Sequence, residues 1–139
     1  MKIIKYKQFN EHKANTKLEE DIQDIFIELK DKGFEVDTKA GTYSIKVTLY
    51  KGGNTNIDRL FINAATADIK EYVKRLFKTD YIKEYVIMLN DYIEIKYNTV
   101  LVEYDYSYMN VMKDREDYNK FPDGELTDKF IITFWLYNK

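Results

Sequence analysis

The 139 residues include 22 basic and 24 acidic side chains, a formal net charge of -2 and a pI near 5.5, so no global field draws the chain to nucleic acid or to an anionic membrane. With 45% hydrophobic and 33% charged residues, the composition is that of a globular chain. At this length one domain over residues 1–139 buries about 68% of its unfolded surface. The absence of cysteine excludes disulfides, thiolate zinc sites, iron–sulfur clusters and a cysteine nucleophile.

The first fifteen residues form a mixed lysine and aromatic lead-in. Lys2, Lys5 and Lys7 interrupt it, so it holds no apolar run of signal-peptide length. No later stretch approaches the roughly 18 apolar residues of a membrane span. The expectation is an intracellular chain, in a host cytoplasm or inside a virion. Thr16 with Glu19 has the spacing of a reciprocal helix cap. Leu18, Ile22, Ile25, Phe26 and Leu29 then recur at helical spacing, and Gly33 is placed to close the turn. The spacing predicts a helix from Thr16 to Lys32.

Phe34 to Thr38 reads as a short strand that turns at Ala40 and Gly41 into Thr42 to Tyr50, where Tyr43, Ile45, Val47 and Leu49 alternate with polar residues. KGGNTN at 51–56 is turn chemistry, and Arg59 to Asn63 reads as one more short strand. Ile69, Tyr72, Val73, Leu76 and Phe77 predict a second helix, with Asp68 in its first turn and Lys74, Arg75 and Lys78 near its end. Tyr81 to Leu89 reads as strand, although Ile82, Tyr85, Val86 and Leu89 also fit a helical stripe. Ile93, Ile95 and Tyr97 alternate with Glu94 and Lys96, and Val100, Val102, Tyr104, Tyr106 and Tyr108 with Leu101, Glu103, Asp105 and Ser107. A two-residue turn at Asn98 and Thr99 would set Glu94 against Glu103, a like-charge pair, so a bend or longer turn is expected. Met109 to Asp128 is a long charged loop with a turn at Pro122, Asp123 and Gly124. Phe130 to Tyr137 ends the series as a strand. Together these predict an α+β fold, an antiparallel sheet of about five strands with two helices packed on one face.

The candidate chemistry is sparse. His12 is the only histidine, and no acid or nucleophile is pinned beside it, which argues against a Ser–His–Asp or two-histidine metal mechanism and for a surface or packing histidine. Asp114, Glu116 and Asp117, with Asp123, Glu125 and Asp128, offer oxygen ligands, but the calcium-loop spacing is missing and a solvated charged loop is the simpler reading. Gly52 and Gly53 lack the Gly-Lys-Ser/Thr of a phosphate loop. No catalytic residue, metal or cofactor is assigned. Lys70, Lys74 and Lys78 form a basic stripe on the second predicted helix, which beside aromatic side chains suits single-stranded nucleic acid. Tyr104, Tyr106 and Tyr108 form a row with two readings: a sheet face packed under the helices, or a protein-contact surface, since tyrosine supplies contact area with few torsions to freeze. The abundance of Lys, Ile, Asn and Tyr matches the codon bias of an AT-rich genome, in a low-GC bacterium or a virus, without selection on function.

Met1-Lys2, followed by Tyr6, Phe9 and Glu11 within KYKQFNEH, resembles the amphipathic leader of T4-like bacteriophage proteins, including internal head proteins packaged through it. Tyr6 and Phe9 keep the three-residue spacing of the two leader aromatics; residues are added before Tyr6 and the glutamate lies closer. The helix end Leu29-Lys30-Asp31-Lys32-Gly33-Phe34 also resembles small phage proteins. The resemblance implies a non-enzymatic accessory protein, either a virion component or an effector of a host protein, whose partner is a protein or further copies of itself. Single-stranded nucleic-acid binding is the alternative.

Overall fold

The computed structural model describes residues 16–51, 73–108 and 111–136. A helical run over 16–25 (α1) passes through one turn residue, Phe26, into α2 (Ile27–Asp31). The amide of Phe26 still donates to the Ile22 carbonyl at 3.3 Å and Lys30 to Phe26 at 3.0 Å, so the pair forms one loosened helix in place of the single predicted one. Residue 16 is already helical, which removes it from the capping position expected of it. Gly33 closes the segment at φ +93°, a left-handed conformation that a side chain would strain.

β1 (Phe34–Ala40) and β2 (Ser44–Lys51) form the predicted hairpin. β3 (Phe77–Lys78) is a two-residue strand, followed by a 3-10 turn over Thr79–Tyr81 and by α3 (Lys83–Lys96). β4 (Thr99–Tyr108), β5 (Val111–Met112), β6 (Leu126–Thr127) and β7 (Lys129–Leu136) complete the elements. The main sheet has the order β1-β2-β7-β4-β5, every pair antiparallel, and β3 pairs with β6 in a second, two-stranded sheet. This is the predicted α+β architecture.

Two expectations are corrected. Residues 83–96, read as strand, are helix. Ile82, Val86, Leu89 and Ile93 are all buried at helical spacing while Ile95 is 84% exposed, so the long 3.6-residue stripe prevails over the short alternation at 93–97. The clash foreseen between Glu94 and Glu103 does not arise, because Glu94 lies on α3. Phe77 and Lys78, read as the end of the second helix, are extended: Phe77 is buried against Phe34 at a ring separation of 5.0 Å and pairs with Thr127. The part of that helix before residue 73, the Arg59–Asn63 strand and the 52–56 turn lie outside the described residues; residue 73 is helical and 74–75 form a turn.

The core is one cluster. Ile45, Val47 and Leu49 of β2, Phe130, Ile132 and Phe134 of β7, and Tyr104 and Tyr106 of β4 point to the same side, where they meet Leu18, Ile22, Phe26 and Leu29 of α1 and α2 and the α3 stripe. Burial of each such aliphatic or aromatic side chain contributes about 1.5–3 kcal/mol. Polar ties join the helices: the Tyr85 hydroxyl donates to Glu28 at 2.8 Å and that of Tyr92 to Asp21 at 2.7 Å.

The 111–128 segment is tied to the body. Thr79, fully buried, donates through its hydroxyl to the Pro122 carbonyl and accepts from the Glu125 amide at 3.1 Å, and Asp80 accepts from the Gly124 amide at 2.7 Å. The Arg115 guanidinium donates to the carbonyls of Tyr104, Asp117 and Lys120. A cation inside the loop thus binds the strand edge beside it.

Candidate functional site

The tyrosine row is core. Tyr104 and Tyr106 stand at 7% and 6% exposure, because β4 is registered against β7 so that they face the same side as Ile132 and Phe130. Tyr104 packs on Phe121 and Phe130 at ring separations of 5.6 and 6.1 Å, and its hydroxyl accepts from the Asn90 amide at 2.7 Å. Burial raises the pKa of both tyrosines. Tyr108, at the rim, is half-buried, with the Lys113 ammonium 5.1 Å from its ring centre. The packed-face reading of the row therefore replaces the contact-surface reading for Tyr104 and Tyr106.

The opposite face of the sheet presents another aromatic. Trp135, the only tryptophan of the chain, is 42% exposed on β7, cross-strand from Ser44 on one side and Leu101 on the other. Tyr43 and Val100, 56% and 62% exposed, lie at the same end of the sheet. Sequence reasoning placed Tyr43 with the buried alternation of β2; the position precedes the strand, in the turn closed by the Gly41 amide on the Ser44 carbonyl at 2.8 Å.

A basic and aromatic pocket of about 280 Å³ opens at the other end of the β1–β2 hairpin, lined by Lys32, Phe34, Lys51, Phe77, Lys78 and Tyr81. The rings of Phe34 and Tyr81 are stacked, 5.8 Å apart and 14° from parallel. The Lys32 ammonium lies 5.4 Å from the Tyr81 ring centre and that of Lys51 5.8 Å from Phe34, within cation–π range. The neighbouring Tyr81 hydroxyl raises the pKa of Lys32, and Glu28 adds a smaller push in the same direction. Among the described residues no carboxylate lines this pocket, whereas the groove between α1 and β1 carries Glu19, Glu20, Asp24 and Asp37 and the loop groove Asp114, Glu116 and Asp117.

Of the three lysines expected to form a helical stripe, Lys78 lies in this pocket on β3, Lys74 is exposed beside Val73, and Lys70 lies outside the described residues. The stripe does not extend to Lys78, since the chain is extended at Phe77. Lys32, Lys51 and Tyr81 were missed. Lys51 pairs with Phe34, next but one to Lys32, about a turn at Thr42–Tyr43, two residues beyond the turn expected at Ala40 and Gly41. Tyr6, Phe9, Glu11 and His12 lie outside the described residues. Among the described residues, no three acidic or histidine side chains form a group that could hold a metal, and no helix is long and apolar enough to cross a membrane.

No protein-family model, curated protein or solved structure matches the chain.

Proposed function

We propose that this chain is a non-enzymatic accessory protein of a T4-like phage, acting as a virion component or as an effector that engages a host protein. The observation that carries the binding role is the exposure of Trp135 on the face of the sheet turned away from the helices, with Leu101 directly opposite it. Tryptophan and tyrosine are enriched where proteins meet, because one ring desolvates a large area at little entropic cost. The phage setting rests on the leader resemblance of Met1-Lys2, Tyr6, Phe9 and Glu11.

The test uses the full chain and its Trp135→Ala variant as baits in the natural host and against purified particles. The wild type is expected to retain one stoichiometric protein and the variant to lose it, with a shift of the single tryptophan's emission on binding. Equal capture by both baits would remove Trp135 from the interface, and turnover of a small substrate would overturn the non-enzymatic reading. A second reading, single-stranded nucleic-acid binding, is favoured by one observation: Lys78 shares a pocket with Lys32, Lys51 and a half-exposed tyrosine.

A further inference from the structure

We propose that the pocket formed by Lys32, Lys51, Lys78 and Tyr81 is a nucleotide-binding site, its lysines holding phosphate and its tyrosine ring stacking a base. The inference rests on the nucleic-acid reading and assigns the groups of that pocket their partners in the ligand. Three elements bring the cations together. Lys32 follows α2, Lys51 ends β2 and Lys78 lies on β3. Among the described residues none of the three forms a salt bridge, while Lys17 and Lys83 are paired with Asp21 and Asp123. Glu28, the acid that acts on Lys32, is engaged by the Tyr85 hydroxyl. The three positive charges are thus left for an external anion, and a local cluster acts over about one Debye length, 8 Å at physiological salt, whatever the sign of the net charge.

The aromatic half of the pocket is rigid. Phe34 and Phe77 are 3% and 5% exposed, and Phe34 covers one side of the Tyr81 ring, yet Tyr81 remains 48% exposed. A base laid on the exposed ring displaces the Lys32 ammonium, which on its flexible stem moves to the phosphate. At about 280 Å³ the pocket lies just below the size of drug-sized ligand sites, about 300–1,000 Å³, and is matched to no more than one nucleotide unit. That unit belongs either to a strand or to a free nucleotide.

The experiment is an anisotropy titration of a fluorescein-labelled dT12 single strand with the full chain at low and moderate salt, with thymidine monophosphate as competitor. The two phosphates that flank one nucleotide of a single strand predict a log–log salt slope of about -1.4, or about sevenfold weaker binding for a fourfold rise in salt. Lys32→Ala/Lys51→Ala/Lys78→Ala is expected to abolish that slope. Lys39→Ala/Lys46→Ala/Lys129→Ala, the same charge change at exposed sites elsewhere on the sheet, is expected to leave affinity within about twofold. Tyr81→Ala is expected to weaken binding about 5- to 100-fold, the loss of one base–aromatic stack, and Tyr81→Phe to restore most of it. Competition by the monophosphate as effective as by unlabelled strand assigns the site to free nucleotides; weak competition assigns it to strands. Absence of strand and monophosphate binding at low salt overturns both the site and the nucleic-acid reading. Binding unchanged by the pocket triple variant overturns the site alone.

Discussion

Tyr104→Phe separates the two meanings a tyrosine row can have. The substitution keeps the ring between Phe121 and Phe130 and deletes only the hydroxyl that accepts from the Asn90 amide at 2.7 Å. The opposite atom of that amide, Asn90 Oδ1, is already buried without a partner, so the variant leaves the whole side chain unsatisfied beside the core. Stranding a buried polar group costs about 1–3 kcal/mol, more than the net worth of the bond itself. With a urea slope of about 2 kcal/mol/M, a cost of about 2 kcal/mol lowers the unfolding midpoint by about 1 M. Adding Asn90→Leu removes the stranded partner and fills the vacated space, and is expected to recover most of the loss, since apolar replacement of both partners is close to neutral. Urea unfolding of the wild type, both single variants and the double variant measures the cycle. A Tyr104→Phe midpoint within about 0.2 M of wild type, or a double variant no better than the single, would refute the reasoning. Loss of partner capture at unchanged stability would return Tyr104 to a contact surface.

Asp128 is fully buried, accepts from the Ser107 hydroxyl through Oδ1 at 2.8 Å, and has no partner at Oδ2; Asp128→Asn is expected within about 1 kcal/mol of wild type and Asp128→Ala to cost about 1–3 kcal/mol by the same unfolding assay. Asp21 has its pKa lowered from 3.8, first by the Tyr92 hydroxyl and then by Lys17. Its stabilising contribution is therefore present above that value and lost as pH falls through the lower folded value. The gap between wild type and Tyr92→Phe should be full near neutrality and shrink in acid, and a gap independent of pH would sink this assignment. Gly33→Ala at φ +93° is expected to destabilise by about 1–2 kcal/mol, with no clash to relieve because its added Cβ meets open space.

Where one period ran long, the fold was legible. Leu18 to Leu29 kept a single helical stripe and became α1 and α2; the β2 alternation and the 130–136 run kept a period of two and became the adjacent β2 and β7. The misreading at 83–97 came from two periods overlapping on the same residues. Ile93 belongs to both, and only the burial of Val86 and Leu89 on α3's inner face, a tertiary fact, decides between them. Phe77 shows the same limit on a smaller scale, since its strand is made by Thr127, fifty residues further on. The basic pocket is less legible still. Lys51 faces Phe34 only because the hairpin turns two residues later than Ala40 and Gly41, and Lys78 and Tyr81 reach the pocket only through the packing of Phe77 and Tyr81 on Phe34.

The strand order β1-β2-β7-β4-β5 has a consequence for how the chain reaches its native state. β7 is the latest of the five in sequence and lies in the middle, so the β1–β2 hairpin and the β4–β5 pair have no sheet contact with each other until it is inserted. Its pairings with β2 span 79 to 91 residues by register, from Tyr50↔Lys129 to Ser44↔Trp135. Contacts of such separation are entropically late, and they slow folding relative to a meander of the same size. During synthesis the two halves therefore wait, each with one apolar strand edge open, for a segment the ribosome delivers after both. A chaperone that shields Val47 and Leu49 through that interval would act on a species the finished fold no longer displays.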